Sequence, residues 1–335
     1  MEKVFNLKVG EDVKKGERLD KWLAEQMPEF SRAKIQKLLK SGFLTDVDDE
    51  VVMDKNTALC VGDEYVFRVP ENDSAGNVMV PENIPLDVLY EDDDIIVVNK
   101  PAGMVVHRGA GVSSGTLVNA LLYRCKGKLS SVGADTGRQG IVHRLDKDTS
   151  GAMMVCKTDI AHLAMQKQFA NHEVKREYYA ILWGMPNPIA GRIEKNIARN
   201  PHSRQEMCVV VDGGKEAITN YETLEVFSGP KFKPLSLVKC VLETGRTHQI
   251  RVHMSSIGVP ILGDATYGNP SHQLMQIENE KVRELLKMVK RQMLHSKNIE
   301  FVHPVTGKKM KFETKLPDDM QTIINFFHCG EWEDV

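Results

Sequence analysis

Hydrophobic positions change their rhythm along this chain, and the changes mark its elements. Leu19, Trp22, Leu23 and Met27 fall at helical spacing, and Ser31 offers an N-cap for a second helix that turns Ile35, Leu38 and Leu39 inward and ends at Gly42. Phe43-Leu44-Thr45, Val51-Val52 and the run from Glu64 to Val69 then read as short strands, with Gly62-Asp63 turning into the last. The stretch from Pro70 to Asn77 is polar, rich in breakers and without periodicity, so a boundary falls there. The expected organisation is a small domain over 1–70, a linker over 71–83, a larger domain over 84–327 and a short tail over 328–335. In the larger domain Ile95 to Val98 form a buried strand that runs into Lys100-Pro101-Ala102-Gly103, and Leu235 to Leu242 form another. Ile141-Val142 and the run from Ala152 to Val155 flank a polar stretch, His143 to Gly151, and the pattern predicts strand, loop, strand. Thr158 or Asp159 opens a helix carrying Ala161, Met165 and Phe169, and a longer helix is expected from about Gln276 to Met293. Strands and helices do not alternate regularly, which favours an α+β domain over a doubly wound one.

Composition narrows the class. At 335 residues, with 41% hydrophobic and 27% charged positions, the chain has ordinary globular values and enough length to bury a substantial core. Cysteines at 60, 125, 156, 208, 240 and 329 contain no C-x-x-C pair, which argues for scattered reduced thiols rather than a disulfide framework or a thiolate metal site. No basic stretch followed by an apolar run opens the sequence, and no segment approaches the roughly 20 apolar residues of a membrane span, so a cytoplasmic protein with no membrane partner is expected. A net charge of −2 is unlike a strongly basic nucleic-acid-binding domain, but the sum hides an asymmetry. Arg32, Lys34, Lys37 and Lys40 lie together without an acid, whereas Asp46, Asp48, Asp49, Glu50 and Asp54 follow. Phosphate binding depends on the cations that meet phosphates, so such a cluster suffices for an RNA contact.

The stretch His143-Arg144-Leu145-Asp146-Lys147-Asp148-Thr149-Ser150-Gly151 sets one acid in a tight polar loop, where function concentrates. Taken alone, Arg144-Leu145-Asp146 is ordinary turn chemistry. The whole nonapeptide resembles the signature loop of the large pseudouridine synthase family that acts on ribosomal and some transfer RNAs. Asp94 to His107, with its Lys-Pro-Ala-Gly turn, is similar to that family's first motif. Leu242 to His253, followed by Pro260 to Asp264 and Tyr267-Gly268, resembles its third. Arg176-Glu177-Tyr178-Tyr179-Ala180 fits its Lys-x-Tyr-x-Ala strand, with arginine in place of the usual lysine.

The resemblance implies a largely antiparallel mixed sheet with a cleft across its middle, over nearly all of residues 84 to 327. It implies a cofactor-free isomerisation in which Asp146 acts as nucleophile or base, Arg251 pairs with it and Tyr178 stacks on a flipped uracil. By the same resemblance Arg144 occupies the vacated base position or holds a phosphate, His143 supports the loop, and Ile261 lines the base pocket. Residues 16 to 70 resemble an S4 RNA-binding domain, a small α/β unit in which Arg18, Ser31, Arg32, Lys34 and Lys37 would meet RNA. Asp46-Val47-Asp48-Asp49 stands where an Asn-Gly turn is usual. An attached domain of this kind resembles the branch that modifies large-subunit (23S-type) ribosomal RNA or a pre-ribosomal particle. Transfer RNA is the alternative substrate, and a non-catalytic RNA-binding or ribosome-assembly factor the alternative class. Nothing requires more than a monomer. His248, His253 and His295 lack the spacing of a zinc motif, and Gly109 to Gly115 lacks the ending of a phosphate loop, so no metal is expected.

Overall fold

The computed structural model describes residues 2–13, 16–28, 30, 32–70, 79–109, 111–203, 206–330 and 332. Two compact units emerge, Met1–Met79 with Ala134–Gly137, and Val80–Gly133 with Arg138–Val335. The first contains β1 (Glu2–Lys8), α1 (Leu19–Gln26), α2 (Arg32–Lys40), β2 (Leu44–Asp46) and β3 (Glu64–Pro70). Its antiparallel sheet runs β1-β3-β2. The apolar stripes of both helices bury Leu19, Trp22, Leu23, Ile35, Leu38 and Leu39 in one core with Tyr65 and Phe67 of β3. Ser31, expected as an N-cap, lies outside the described residues. Val51-Val52 does not form a strand; Val51 makes only an isolated bridge to Thr45.

The second unit contains β4 (Asp87–Glu91), β5 (Ile95–Lys100), α3 (Leu117–Arg124), β6 (Ser150–Cys156), α4 (Asp159–Ala170), β7 (Lys175–Trp183), β8 (Ala190–Glu194), β9 (Asn196–Arg199), β10 (Met207–Val210), β11 (Ile218–Phe227) and β12 (Leu235–Leu242). After these come α5 (Gln249–Ser256), α6 (Pro270–Met275), α7 (Glu280–Lys287), β13 (Leu294–Val302), β14 (Lys309–Glu313) and α8 (Asp318–Cys329). The main sheet runs β4-β5-β6-β13-β7-β12-β11-β8, with β14 also on β13. Its one parallel pairing, β6 with β13, sets His295 opposite Ser150 and Ser296 opposite Gly151, and every other pairing is antiparallel. This is the mixed α+β architecture expected from the chain's irregular element order. Strand alternation explains the cores: Ile96, Val98, Met153 and Val155 face one side, Ile95, Val97, Ala152 and Met154 the other, and both sides are covered.

Three sequence expectations change here. Ile141 and Val142 are not a strand but part of an irregular segment. Of the helix expected from about Gln276 to Met293 only α7 forms, starting where Asn279 caps it by accepting from the Val282 amide at 3.0 Å; α6 ends before that span. The expected tail from 328 is partly core: α8 runs to Cys329, and Trp332 is buried edge-on against Phe232, ring centroids 5.4 Å apart.

Candidate active site

The loop that carries Asp146 ends where β6 begins, and a turn closes it, with the Thr149 amide donating to the Asp146 carbonyl at 3.1 Å. Two cations hold its backbone. Lys100, fully buried at the end of β5, donates from Nζ to the carbonyls of Pro101 (2.8 Å), Met104 (2.8 Å) and Lys147 (3.0 Å), which ties the Lys-Pro-Ala-Gly turn to the loop. Burial pushes its pKa down to about 7, against the pull of Asp148 and Asp146. Arg291 donates to the Asp148 carbonyl at 3.0 Å while gripping Asp319 with two bonds of 2.7 Å. Neither cation was assigned from the sequence, although Lys100 sits in the first motif; a lysine within a turn gives no sign of the carbonyls around it until the chain folds.

Asp146 and Arg251 are 105 positions apart and meet: Arg251 Nη1 donates to Asp146 Oδ2 at 3.1 Å. The guanidinium is held from behind by fully buried Asp264, through Nε at 2.7 Å and Nη2 at 2.9 Å, and Nη2 also reaches Thr266 Oγ1 at 3.1 Å. Asp264 in turn accepts from the amides of Thr266 (2.9 Å) and Tyr267 (3.1 Å). Burial alone would lower the Arg251 pKa, but the two acids raise it above the usual arginine range. Oδ1 of Asp146 accepts no hydrogen bond among the described residues, and His248 Nε2 stands 3.8 Å away. His248, in the left-handed conformation just ahead of α5, is fixed by Tyr267 Oη at 2.8 Å, and burial lowers its pKa.

Around this pair opens a cleft of about 480 Å³, lined by residues 141–146, 169–170, 172 and 242–251 together with Arg176 and Tyr178. Tyr178, buried on β7, lines it, and burial raises the pKa of its hydroxyl. His143 accepts the Met154 amide at 3.1 Å and stacks on Phe169 with centroids 5.0 Å apart. Burial, reinforced by Arg176, pushes its pKa down to about 3, so it braces the loop as a neutral ring. Arg144 is exposed at the rim, its Nη1 3.3 Å from His107 Nε2.

Ile261 sits apart from the cleft lining. It is fully buried in the main core and bridges Leu182. In the first unit Arg18 and Arg32 are both clamped on Asp20, a residue not assigned from the sequence. Each donates twice at 3.0 Å, Gln36 adds a third partner, and Asp20 is fully buried. Burial raises the Asp20 pKa, but these donors hold it well below the usual carboxylate range. Lys34 and Lys37 lie on α2, and their side chains are outside the described residues.

Chemically, the cleft offers one carboxylate with an unengaged oxygen beside a fixed cation, and the buried ring of Tyr178. Its other acid, Glu243, is engaged by Arg192 and by Asn220 at 2.7 Å. Both ring nitrogens of His253 are taken by Thr219 and Lys195, and both of His295 by Ser150 and Thr314. The acidic group with metal-like spacing among the described residues is Asp92, Asp94 and His303, which is not part of the cleft lining. There Asp92 already accepts from the amides of Asp94 and Ile95, from Tyr90 and from His303.

Residues 94–256 match the RNA pseudouridylate synthase family. The chain is 43% identical over 312 residues to a ribosomal large subunit pseudouridine synthase D of Zymomonas mobilis, covering 92% of this chain and 93% of the relative. It is also 43% identical over 311 residues to the protein of that name from Neisseria meningitidis serogroup A, covering 92% and 78%. Among solved structures it resembles human RNA pseudouridylate synthase domain containing 1, with a TM-score of 0.52, 26% identity and coverage of 74% and 96%. With the Asp146 loop, the arginine that meets it and relatives this similar over most of their length, the chain belongs to the RNA pseudouridine synthase family.

Proposed function

We propose that this protein isomerises specific uridines of large-subunit ribosomal RNA, free or within a pre-ribosomal particle, and that Asp146 is the group that acts at the sugar or the base. The observation that carries the reading is the Asp146–Arg251–Asp264 chain of charge at the floor of the cleft, with Asp146 Oδ1 unengaged. The reaction breaks the bond between ribose C1′ and uracil N1, turns the base, and joins C5 to C1′, with the C5 proton lost and N1 reprotonated. It needs a nucleophile or base and no redox partner, which a positioned carboxylate supplies. The names of the relatives support ribosomal RNA as the substrate.

A uridine must leave its stack to enter the cleft, at a cost of a few kcal/mol, and stacking on Tyr178 would offset about 1–3 kcal/mol of it. Arg144, exposed at the rim, is placed to follow the base or hold a phosphate, and His143 to brace the loop. The first unit serves as an S4-like RNA-binding domain: the Arg18 and Arg32 side chains, 42% and 45% exposed, are prealigned by Asp20 yet keep N–H groups for phosphates. The protein acts as a cytoplasmic monomer.

The test is a pseudouridine map of ribosomal RNA from cells lacking the gene, complemented with wild type or Asp146→Asn. Sites should return only with wild type, while the variant still binds unmodified transcript. Restoration by Asp146→Asn would overturn the catalytic role.

A further inference from the structure

Arg176 is a buried cation without an anion. It shares a face of β7 with Tyr178, is 6% exposed, and makes no ion pair among the described residues. Its Nε has no hydrogen-bond partner, and Nη2 reaches only the Glu243 carbonyl at 3.4 Å. Phe169 lies under the guanidinium, 5.4 Å from its centroid, and Gly245 lets the group lie close to the backbone, since a Cβ there would come 2.5 Å from Nη1. The one acid beside it, Glu243, is turned to Arg192 and Asn220, while the charged neighbour that bears on it is a second cation, Arg246. Both arginines line the cleft that holds Asp146.

Buried charges are normally paired, and removing water from an unpaired one is costly. Burial disfavours the charged form, Tyr178 offsets part of that and Arg246 adds to it, so the free protein carries a cation without an ion pair among the described residues. Arg246 donates from Nε to the Glu216 carbonyl at 2.8 Å and lines the same cleft. We propose that Arg176, together with Arg246, forms a phosphodiester subsite that takes a backbone phosphate of the bound RNA beside the flipped uridine. The inference rests on the RNA-modifying reading above and deepens it. Guanidinium forks bind phosphate oxygens in pairs, and the water-poor setting strengthens such a bond. The anion would complete the site, so the cation that is a liability in the free protein becomes a binding group in the complex.

The test compares wild type, Arg176→Met, Arg176→Lys and Gly245→Ala on unmodified in vitro transcript of large-subunit ribosomal RNA. It measures pseudouridine formation, RNA affinity against salt concentration, and thermal melting with and without RNA. A Met side chain of similar reach removes the charge, so the free Arg176→Met protein should melt no lower than wild type. Its dependence of log affinity on log salt should be shallower by about 0.7, the share of one single-strand phosphate, so the wild-type advantage shrinks about 2.5-fold between 50 and 200 mM salt. Arg176→Lys should keep the salt slope, and Gly245→Ala, which displaces the guanidinium, should weaken RNA binding without changing the protein's charge. A lower melting point for Arg176→Met with an unchanged salt slope would mean that the guanidinium only supports the fold, and would overturn the subsite while leaving the enzyme reading intact. If wild type makes no pseudouridine on any ribosomal transcript, both readings fall together.

Discussion

Arg251 serves two carboxylates at once, and that sharing defines the site at the scale of single residues. Asp264 takes two of its nitrogens and fixes the plane of the guanidinium, which leaves Nη1 directed at Asp146. A lysine has one point charge and cannot span both acids. Arg251→Lys should therefore lower the rate of pseudouridine formation by about 100-fold or more, the usual scale for losing a preorganised charge contact, measured under single-turnover conditions. Asp264→Asn should do comparable damage from behind the site and also lower the melting temperature, because a buried cation loses its main counterion. An Asp264→Asn enzyme with wild-type turnover would show that Arg251 is positioned without it. Of these residues Asp146, Arg251 and Tyr178 were legible in linear motifs. Asp264 stood in a quoted motif without a role, because nothing in its neighbours along the chain reveals that its partner lies 13 positions upstream on a helix.

At the scale of elements, the parallel contact of β6 with β13 supports the loop from below. Gly151 has φ +114° there, and a Cβ on it would fall 2.2 Å from the Ser296 carbonyl oxygen. Gly151→Ala should destabilise the protein by about 2 kcal/mol or more, measured by denaturant unfolding, since both the backbone conformation and the strand spacing oppose it. His295 stitches the same region, with Nδ1 2.8 Å from Ser150 Oγ and Nε2 2.8 Å from Thr314 Oγ1. Burial pushes the His295 pKa down to about 4 and, with Arg176 adding to it, the His143 pKa down to about 3. The unfolded chain takes up these protons near pH 6.5, the folded protein only near 4 and 3. Their contribution is thus complete above about pH 6.5 and is lost as the pH falls toward 4. Thermal melts from pH 7.5 to 4 should drop across that window, and His295→Gln should flatten the drop; an unchanged slope would refute the linkage. The periodicity read β6 correctly, whereas Ile141-Val142 misled because two apolar residues beside a loop look alike whether they pair or line a cleft.

For the whole molecule, the two units have separate hydrophobic cores, one drawn from residues between Phe5 and Val69 and the others from residues between Leu86 and Trp332. A chain beginning at Val80 should fold cooperatively by itself and retain the chemistry on unmodified transcript, with a higher KM because the arginines clamped on Asp20 are gone. Failure of that fragment to fold would show that the second core is insufficient alone. The amino-acid sequence by itself determined the α+β class, several of the strands and helices, and the acid, arginine and tyrosine of the cleft, because local periodicity and contiguous motifs carry that information over short spans. It did not disclose β1, β4, the strands β8 to β11, β13 or β14, nor α3, α5, α6 and α8, the shortening of the 276–293 helix to Glu280–Lys287, or the burial of Trp332. Nor did it disclose which cations find anions. Lys100 caged by three carbonyls, Asp20 clamped by two arginines and Arg176 left without an acid are outcomes of sheet register and close packing between segments far apart in the chain. Only the tertiary structure decides such pairings, since a charge's partner is set by distance in space and by the water removed around it.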